Sequence, residues 1–265
     1  TTDAAGNQLV HGPRFTLIAG IFSLGAIGCY LLCYFMTTER VKIAPTHHEE
    51  QVSFKETVKA LVSNRALLGI IAAAILLLLA SLMTQSVNQY VFVDYFKNKE
   101  ALAVMSVAGI LPMLLMAPFT VPITRKYGKK EVGAVGCILG GIASLLMFVL
   151  QIKSAAVYIA ISVIGYFGFG FFNLIIWAFI TDIIDDQEVR TGKREDGTIY
   201  AVYSFARKIG QALSGGLGAY ALALVGYDST VQVQTAEVAG GIYNVATLVP
   251  GILYIGVGLC LIFIY

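Results

Sequence analysis

Seven long apolar segments constrain this chain more than any other feature. They span residues 15–36, 67–93, 101–124, 132–152, 155–181, 198–226 and 243–265. A helix needs about 20 predominantly apolar residues to cross the hydrocarbon core of a bilayer, and every segment is at least that long. Hydrophobic residues make up 57% of the 265 positions and charged residues only 13%, a balance that one soluble core cannot enclose. The sequence therefore predicts an all-α membrane protein.

The polar interval 37–66 separates the first apolar segment from the other six. We expect three parts: an external loop and one membrane helix at 1–36, a cytoplasmic middle loop at 37–66, and a six-helix bundle at 67–265. Residues 54–62 place apolar side chains on one helical face, which predicts a short helix lying along the membrane surface.

The basic residues predict the orientation of the chain in the membrane. Intervals 37–66, 125–131 and 182–208 together hold 14 of the 18 lysines and arginines. Because loops rich in lysine and arginine stay in the cytoplasm, we expect these three intervals to be cytoplasmic. The N-terminus of this chain then lies outside and its C-terminus inside, with a bacterial plasma membrane as the expected location.

A short basic turn, "PITRKYGKK" at 122–130, has two interpretations. Its cations, which include Arg125 and Lys129, are typical of any cytoplasmic loop that follows the positive-inside rule. Alternatively, they form a gate by pairing with carboxylates at the ends of neighbouring helices.

Segment 198–226 carries polar residues at helical spacing. Tyr200, Ser204, Lys208, Gln211 and Gly215 share one face of a helix, and such a stripe suits a wet cavity that binds a hydroxyl-rich ligand. A cation inside a membrane costs about 2.5–3.5 kcal/mol and usually faces a cavity or a partner. The alternative is that the long side chains of Lys208 and its neighbour Arg207 extend to the cytoplasmic interface.

Small residues predict two close helix contacts. Gly210, Ser214 and Gly218 repeat every fourth residue in segment 198–226, and Gly136 and Gly140 do so in segment 132–152. Such small-residue ridges allow two membrane helices to approach closely.

Segment 155–181 places Asn173, Trp177 and Thr181 four residues apart, on one helical face. The tryptophan is either a packing residue or an aromatic platform for the apolar face of a sugar ring.

The sequence shows none of the common patterns of catalytic residues. No nucleophile–base pair, metal-ligand spacing or phosphate-binding glycine loop is present, and the three histidines lie in polar segments outside the apolar ones. No basic stripe interleaved with aromatic residues indicates nucleic-acid binding. We therefore expect no enzymatic activity, no cofactor, no metal site and no nucleic-acid partner.

The segment "TDIIDDQEVRTGKREDGTIYAVYSFARKIGQALSGG", residues 181–216, resembles the signature of the glycoside–pentoside–hexuronide:cation symporters, a family within the major facilitator superfamily. The chain departs from that pattern at Asp196, where glutamate is usual, and at Ala201, where serine is common. The matching positions are Asp182, Asp185, Glu188, Arg190, Thr191, Gly192, Arg194, Gly197, Tyr200, Phe205, Lys208 and Gly210.

The resemblance implies a fold: the C-terminal six-helix bundle of the superfamily plus one preceding helix, that is, helices six to twelve of twelve. It also implies a function, secondary active symport of a glycoside, pentoside or hexuronide with Na⁺ or H⁺ by alternating access. The cation would be bound mainly by carboxylates of the N-terminal half, which this chain lacks. The expected partners are a small sugar, the bilayer and that N-terminal half.

By the same resemblance, Lys208 and Ser204 take part in cation coupling, and both lie by the sugar together with Tyr203. A sugar-contacting tryptophan of the family aligns nearer Asn173 than Trp177, which counts against the Trp177 platform. The complete expected substrate-binding set is Lys208, Ser204, Tyr203, Tyr200, Gln211, Asn173 and Trp177.

The charged run at 181–197 is expected to form a cytoplasmic gate. Asp182, Asp185, Arg190 and Arg194 would lock the inner ends of helices ten and eleven against the facing half, with Arg125 and Lys129 contributing from the basic turn. Two other functions remain open: a lysophospholipid-type carrier of the same superfamily, and a membrane scaffold or receptor that transports nothing.

Overall fold

The computed structural model describes residues 12–38, 63–192, 194, 196–231 and 233–265, and these ranges contain helices and no strand. The surface helix predicted at 54–62, the external loop at 1–11 and the three histidines lie outside the described residues. The helices are α1 (Gly12–Met36), α2 (Arg65–Tyr90), α3 (Lys99–Tyr127), α4 (Lys129–Leu150), α5 (Ala155–Thr191), α6 (Asp196–Leu224) and α7 (Ala236–Phe263), with a π-helical turn at Val91–Tyr95 that prolongs α2. The predicted all-α fold is confirmed.

Of the seven helices in the described ranges, six are long and apolar enough to cross a membrane. The exception is α6, which has sufficient length at 29 residues but carries the polar side chains that interrupt its hydropathy. The sequence predicted seven spans, and α6 is the one whose hydropathy alone does not mark it as a membrane helix. Helix α6 packs along α2, which is one of the six apolar helices.

Helix α1 belongs to a separate compact unit, residues 1–52, and the other six helices form the second unit, residues 53–265. The span Phe15–Met36 within α1 holds 22 residues, none of which is charged. Because a helix of that length matches the thickness of the hydrocarbon core, α1 has the character of a membrane helix in its own right.

Side-chain caps define where several helices of the six-helix unit begin. The Asn64 Oδ1 atom accepts a hydrogen bond from the Leu67 N–H at 3.0 Å at the start of α2, and Asn98 Oδ1 accepts one from Ala101 N–H at 3.0 Å at the start of α3. Each cap satisfies a backbone donor that has no partner within the helix. Gly192 ends α5 in the left-handed conformation at φ 71°, which glycine adopts without strain.

The six helices of this unit pack in the spatial order α3–α5–α4–α7–α2–α6. Helix α4 packs on α5 and α7, whereas α2 packs on α7 and α6. Contacts between α5 and α6 are few, so the two helices leave much of their facing surfaces uncovered. These are the two helices on which the sequence placed the candidate site.

Glycines set the distance between α4 and α5, as the sequence predicted for Gly136 and Gly140. A Cβ atom added at Gly136 would overlap the carbonyl oxygen of Gly168, and one added at Gly168 would overlap the carbonyl oxygen of Gly136. A Cβ atom at Gly140 would lie 3.2 Å from the Gly165 carbonyl oxygen. The two backbones therefore touch, which only residues without a side chain permit.

The two ends of the six-helix unit differ in chemistry. One end, here called the aromatic end, contains a buried cluster in which the Tyr158 hydroxyl donates to Asn88 Oδ1 at 2.8 Å and the Tyr243 hydroxyl donates to the Met147 carbonyl at 2.7 Å. The opposite end, here called the charged end, comprises the start of α2, α4 and α6 and the finish of α3, α5 and α7. It carries most of the charged side chains of the described residues.

Candidate functional site

Helix α6 has two faces of opposite character. The buried face is a stripe of mostly small or aromatic residues that includes Tyr203, Gly210 and Ser214 and packs on α2. A Cβ atom added at Gly210 would lie 3.3 Å from the Ile75 Cα atom of α2, so the predicted small-residue ridge makes a close contact at that position. Gly218 is buried, but a Cβ atom there would meet nothing within 4 Å. The ridge is therefore tight at one end only.

The other face of α6 is the polar stripe predicted from the sequence. Tyr200, Ser204, Lys208 and Gly215 are exposed and Gln211 is half-exposed. The Lys208 ammonium makes no ion pair with any described carboxylate. Lipid cannot solvate these groups, so this face must border water or another protein segment.

Helix α5 presents the matching face. Asn173, Trp177 and Thr181 are all exposed, as their spacing of four predicted, while Ile175, Ile176 and the neighbouring apolar residues are buried. The Thr181 hydroxyl donates to the Trp177 carbonyl at 3.2 Å within the helix. The exposed faces of α5 and α6 meet at Trp177.

Trp177 lies between two side chains of α6. Its ring stacks on Tyr200 at 5.6 Å between centroids with an interplanar angle of 16°, and the Arg207 guanidinium lies 5.1 Å from the indole centroid. Tyr200 and Arg207 are seven residues apart, which is about 10.5 Å along a helix. The indole thus contacts two side chains that lie two helical turns apart on α6.

This arrangement bears on the expected role of Trp177. The tryptophan is 42% exposed, and its ring contacts both Tyr200 and Arg207. A sugar ring would have to displace one of them to stack on the face that it occupies. These contacts agree with the packing interpretation of Trp177, and the exposed part of the ring leaves the platform interpretation open.

Tyr203 occupies a different place from the one expected of a sugar contact. Its side chain is fully buried at 0% exposure and meets Trp177 edge-on at 5.4 Å between centroids. Tyr203 follows Tyr200 by three residues, which is about 60° short of a full turn, and it lies on the edge of the polar stripe nearest to the stripe facing α2. In this conformation Tyr203 packs against Trp177, and its side chain is not accessible to a ligand.

The charged end joins three helices by ion pairs. Lys129, at the start of α4, donates to both carboxylate oxygens of Asp182 on α5 at 2.7 Å. This geometry agrees with the second interpretation of the basic turn, in which its cations pair with carboxylates on neighbouring helix ends. Arg125 makes no ion pair with a described residue.

Arg194 connects α5 to α6 across the turn between them. Its guanidinium contacts Asp185 at 3.1 Å and Glu188 at 2.7 Å, both on α5, and Asp196 at 3.0 Å, the first residue of α6. The hydrogen bonds that it donates to Glu188, Asp185 and Asp196, in that order of size, raise the pKa of the arginine above its usual value. The guanidinium thus contacts all three of these carboxylates.

The expected lock against a facing half stays a prediction. Within the described residues, Asp182 pairs with Lys129 and Asp185 with Arg194, and Arg190 pairs at 2.8 Å with Asp186 one turn away on its own helix. A lock against another half would have to exchange some of these partners.

Two contacts were missed by sequence reasoning. The contacts of Trp177 with Tyr200 and Arg207 join residues of two different helices, which no local periodicity reveals. At the charged end, the Asn64 amide donates to the Gln187 side-chain oxygen at 2.8 Å, and both residues are buried. Neither residue stands out in the sequence, because Asn64 lies in the polar interval 37–66 and Gln187 in the charged run 181–197.

A second concave surface of the six-helix unit is apolar. It is a groove of about 840 Å³ between α4 and α5, lined by residues such as Val135, Leu139 and Phe171. None of its lining residues belongs to α6, so it lies apart from the polar face. Its chemistry suits lipid acyl chains at the surface of a membrane protein. No group of histidine, cysteine, aspartate or glutamate side chains in the described ranges is arranged to hold a metal ion.

Comparisons with known proteins agree with these features. The chain is 29% identical over 239 residues to the uncharacterized symporter YjmB of Bacillus subtilis, covering 90% of this chain and 51% of that protein. It is 29% identical over 232 residues to a glucuronide carrier protein homolog of Escherichia coli, with coverage of 87% and 50%, and 30% identical over 230 residues to a putative sulfoquinovose importer of the same species, with coverage of 85% and 48%.

The chain thus spans about half the length of the curated relatives it matches. A family model described as MFS/sugar transport protein matches residues 7–265, which is nearly the whole chain. Six apolar helices and this match make it a multi-pass membrane protein, and they favour a transporter over an enzyme. The chain belongs to the family of MFS/sugar transport proteins.

Proposed function

We propose that this chain is the C-terminal portion of a twelve-helix secondary transporter that carries a glycoside, pentoside or hexuronide together with Na⁺ or H⁺. The observation that carries this proposal is the exposed polar face of α6, with Ser204, Lys208 and Gln211 displayed opposite a well-packed buried face. A helix that buries one side in a bundle and exposes lysine on the other must line a wet cavity. Sugar sites of secondary transporters lie in such cavities, between two halves near the membrane midplane.

The names of the relatives support a sugar or a related small solute as the substrate. One relative is called a glucuronide carrier homolog and another a sulfoquinovose importer. The half of those proteins that this chain does not match would supply the opposite wall of the cavity. By its resemblance to the cation symporters, that half would also supply the carboxylates for the coupling ion.

Lys208 is the proposed coupling residue, with Ser204 beside it one turn away. Its ammonium has no carboxylate partner among the described residues, so it is free to pair with an acidic group across the cavity. Loss or gain of a cation there would change the field felt by the lysine and by the sugar. Coupling requires that both ligands prefer the same conformational state, and a shared lysine provides that link.

The charged end is the proposed cytoplasmic side, following the positive-inside rule. With that orientation the start of this chain faces the outside and its C-terminus the cytoplasm. The pairs Lys129–Asp182 and Arg194–Asp185 would hold the inner ends of α4, α5 and α6 as one unit. Rocking of that unit relative to the missing half would open and close the inner gate, with Arg125 and Arg190 placed to meet the other half.

Uptake into proteoliposomes tests the proposal. The complete transporter is reconstituted and offered a panel of glycosides, pentosides and hexuronides under a Na⁺ gradient, a proton gradient or none. We expect one gradient to drive accumulation of one sugar class, and Lys208→Ala to abolish accumulation while the charge-matched control Lys153→Gln, on an outer loop, retains it. Absence of uptake for every sugar under every gradient would contradict the proposal.

The lysophospholipid-type carrier is the second candidate, and the structure gives it little support. The apolar groove between α4 and α5 has the chemistry to hold an acyl chain, but it lies away from the polar face. A lipid carrier would need the two surfaces to form one cleft. Uptake of labelled lysophospholipid in the same liposomes, with no sugar uptake, would favour that carrier. A scaffold or receptor would show neither activity.

A further inference from the structure

Arg207 occupies an unusual position for a membrane arginine. It follows the start of α6 by eleven residues, about 16 Å along the helix, and its side chain is half-buried. Its guanidinium lies 5.1 Å from the centroid of Trp177 and 5.9 Å from that of Tyr203. Trp177 in turn precedes Asp182, the first carboxylate of the charged end, by five residues, about 7.5 Å of helix. The guanidinium is therefore held at the depth of Trp177 and does not extend to the interface.

The surroundings of Arg207 carry positive charge without compensation. The carboxylates at the end of α5 and the start of α6 are paired with Lys129, Arg190 and Arg194, and no described carboxylate pairs with Arg207. The adjacent Lys208 adds a second cation about 100° around the helix. Between residues 155 and 181 of the facing helix α5 there is no charged residue at all. This wall of the cavity thus attracts anions.

The contacts of the guanidinium with Trp177 and Tyr203 leave hydrogen-bond donors for a ligand. The Tyr203 hydroxyl, which lies beside the guanidinium, is a single acceptor, whereas the group carries five N–H donors in one plane. A carboxylate or sulfonate accepts two such donors in parallel, the strongest pairing that arginine makes. The aromatic stack also fixes the arginine in one orientation, which reduces the entropy lost on binding.

We propose that Arg207 binds the anionic group of the substrate, so that the transported sugar carries a carboxylate or a sulfonate. This inference rests on the proposed sugar transport and narrows its substrate class. Lys208 stays with cation coupling, and Arg207 becomes the specificity-determining residue. Trp177 and Tyr200 are positioning residues that hold the guanidinium toward the cavity.

Matched sugars test the inference. Three methyl glucosides are compared in proteoliposomes: the neutral compound, its 6-carboxylate and its 6-sulfonate. We expect the wild type to prefer one or both anions, and the second and third compounds distinguish carboxylate from sulfonate. Arg207→Gln should lower uptake of the preferred anion by about 30-fold or more, the scale of lost charged hydrogen bonds, and change neutral uptake less than threefold. Arg207→Lys should restore part of the loss, because it returns the charge but not the fork.

A binding readout separates recognition from transport. Trp177 is the single tryptophan of this chain, and in a complete transporter whose other tryptophans are replaced by phenylalanine its fluorescence reports directly on the guanidinium beside it. The preferred anion should shift the emission of the wild type, and the neutral sugar should not. Lys153→Gln, which removes a cation elsewhere, should respond as the wild type does.

Each contrary outcome has a distinct meaning. Equal uptake of neutral and anionic sugars by the wild type would overturn the inference and leave sugar transport standing. An equal fall of all sugars in Arg207→Gln would assign the arginine to folding or to pairing with the missing half, and would also overturn it. Uptake of none of the three, together with failure of the wider sugar panel, would overturn the proposed function and this inference with it.

Discussion

At the scale of single residues, one methyl group decides whether α4 and α5 can cross. Gly168 faces the backbone of Gly136, and an added Cβ atom would overlap its carbonyl oxygen. A backbone cannot move aside as a flexible side chain does, so we expect Gly168→Ala to separate the helices and to cost about 3 kcal/mol, the upper end of the overpacking range. Thermal unfolding of the chain in nanodiscs, followed by circular dichroism, measures the loss.

The same helix provides the control. Gly170 lies two residues further along α5, where a Cβ atom would meet nothing within 4 Å. Gly170→Ala should therefore leave the unfolding temperature unchanged or raise it slightly, because alanine favours the helix over glycine. Equal destabilisation by the two substitutions would show that the close crossing of α4 and α5 does not limit stability.

At the scale of elements, Arg194 links two helices more than it stabilises the fold. Its pairs with Asp185, Glu188 and Asp196 are about half-exposed, and such pairs add little to stability because water screens them. We expect Arg194→Gln to lower overall stability little but to speed amide hydrogen exchange in residues 186–200, where α5 ends and α6 begins. Hydrogen-exchange mass spectrometry resolves the two effects.

Arg190 is the matched control for Arg194. Among the described residues it pairs only with Asp186 on its own helix, so Arg190→Gln removes an ion pair of similar length without touching the connection between α5 and α6. Exchange in residues 192–200 should stay as in the wild type. An increase of the same size in both variants would indicate general loss of charge at this end and not the loss of a link.

For the helices, periodicity in the sequence predicted which side chains share a face but not which helix that face contacts. The polar stripe through Ser204 and Lys208 and the buried stripe through Gly210 and Ser214 both follow from 3.6 residues per turn, and the structure shows both. What the sequence could not predict was contact between helices. Two features depend on how α4, α5 and α6 are placed in space. One is the contact of Trp177 with Tyr200 and Arg207, and the other is the pairing of Asp182 with Lys129.

Tyr203 and Ser204 show that neighbouring residues on a helix can differ completely in exposure. It neighbours Ser204 in the sequence, and the family resemblance placed both by the sugar, yet one is fully buried and the other exposed. Adjacent residues on a helix point about 100° apart, so both can face one ligand only near the edge of its site. The interface with α2 takes up the side of α6 on which Tyr203 lies.

At the scale of the whole molecule, the central claim is that the polar face of α6 borders water inside the membrane. The claim distinguishes two surfaces that are both exposed in the six-helix unit: the stripe of α6 through Ser204, and the apolar groove of α4 through Leu139. The first should be wet in a bilayer and the second covered by lipid.

Cysteine accessibility tests this claim most directly. In the complete transporter with every native cysteine replaced, including the four of this chain, Ser204→Cys and Leu139→Cys are treated from either side of the membrane with a charged, membrane-impermeant methanethiosulfonate. This reagent needs a thiolate, which forms in water and not in lipid. We predict that Ser204→Cys reacts and is protected by the transported sugar, whereas Leu139→Cys does not react. An inert cysteine at position 204 from both sides would contradict the claim that α6 lines the transport pathway.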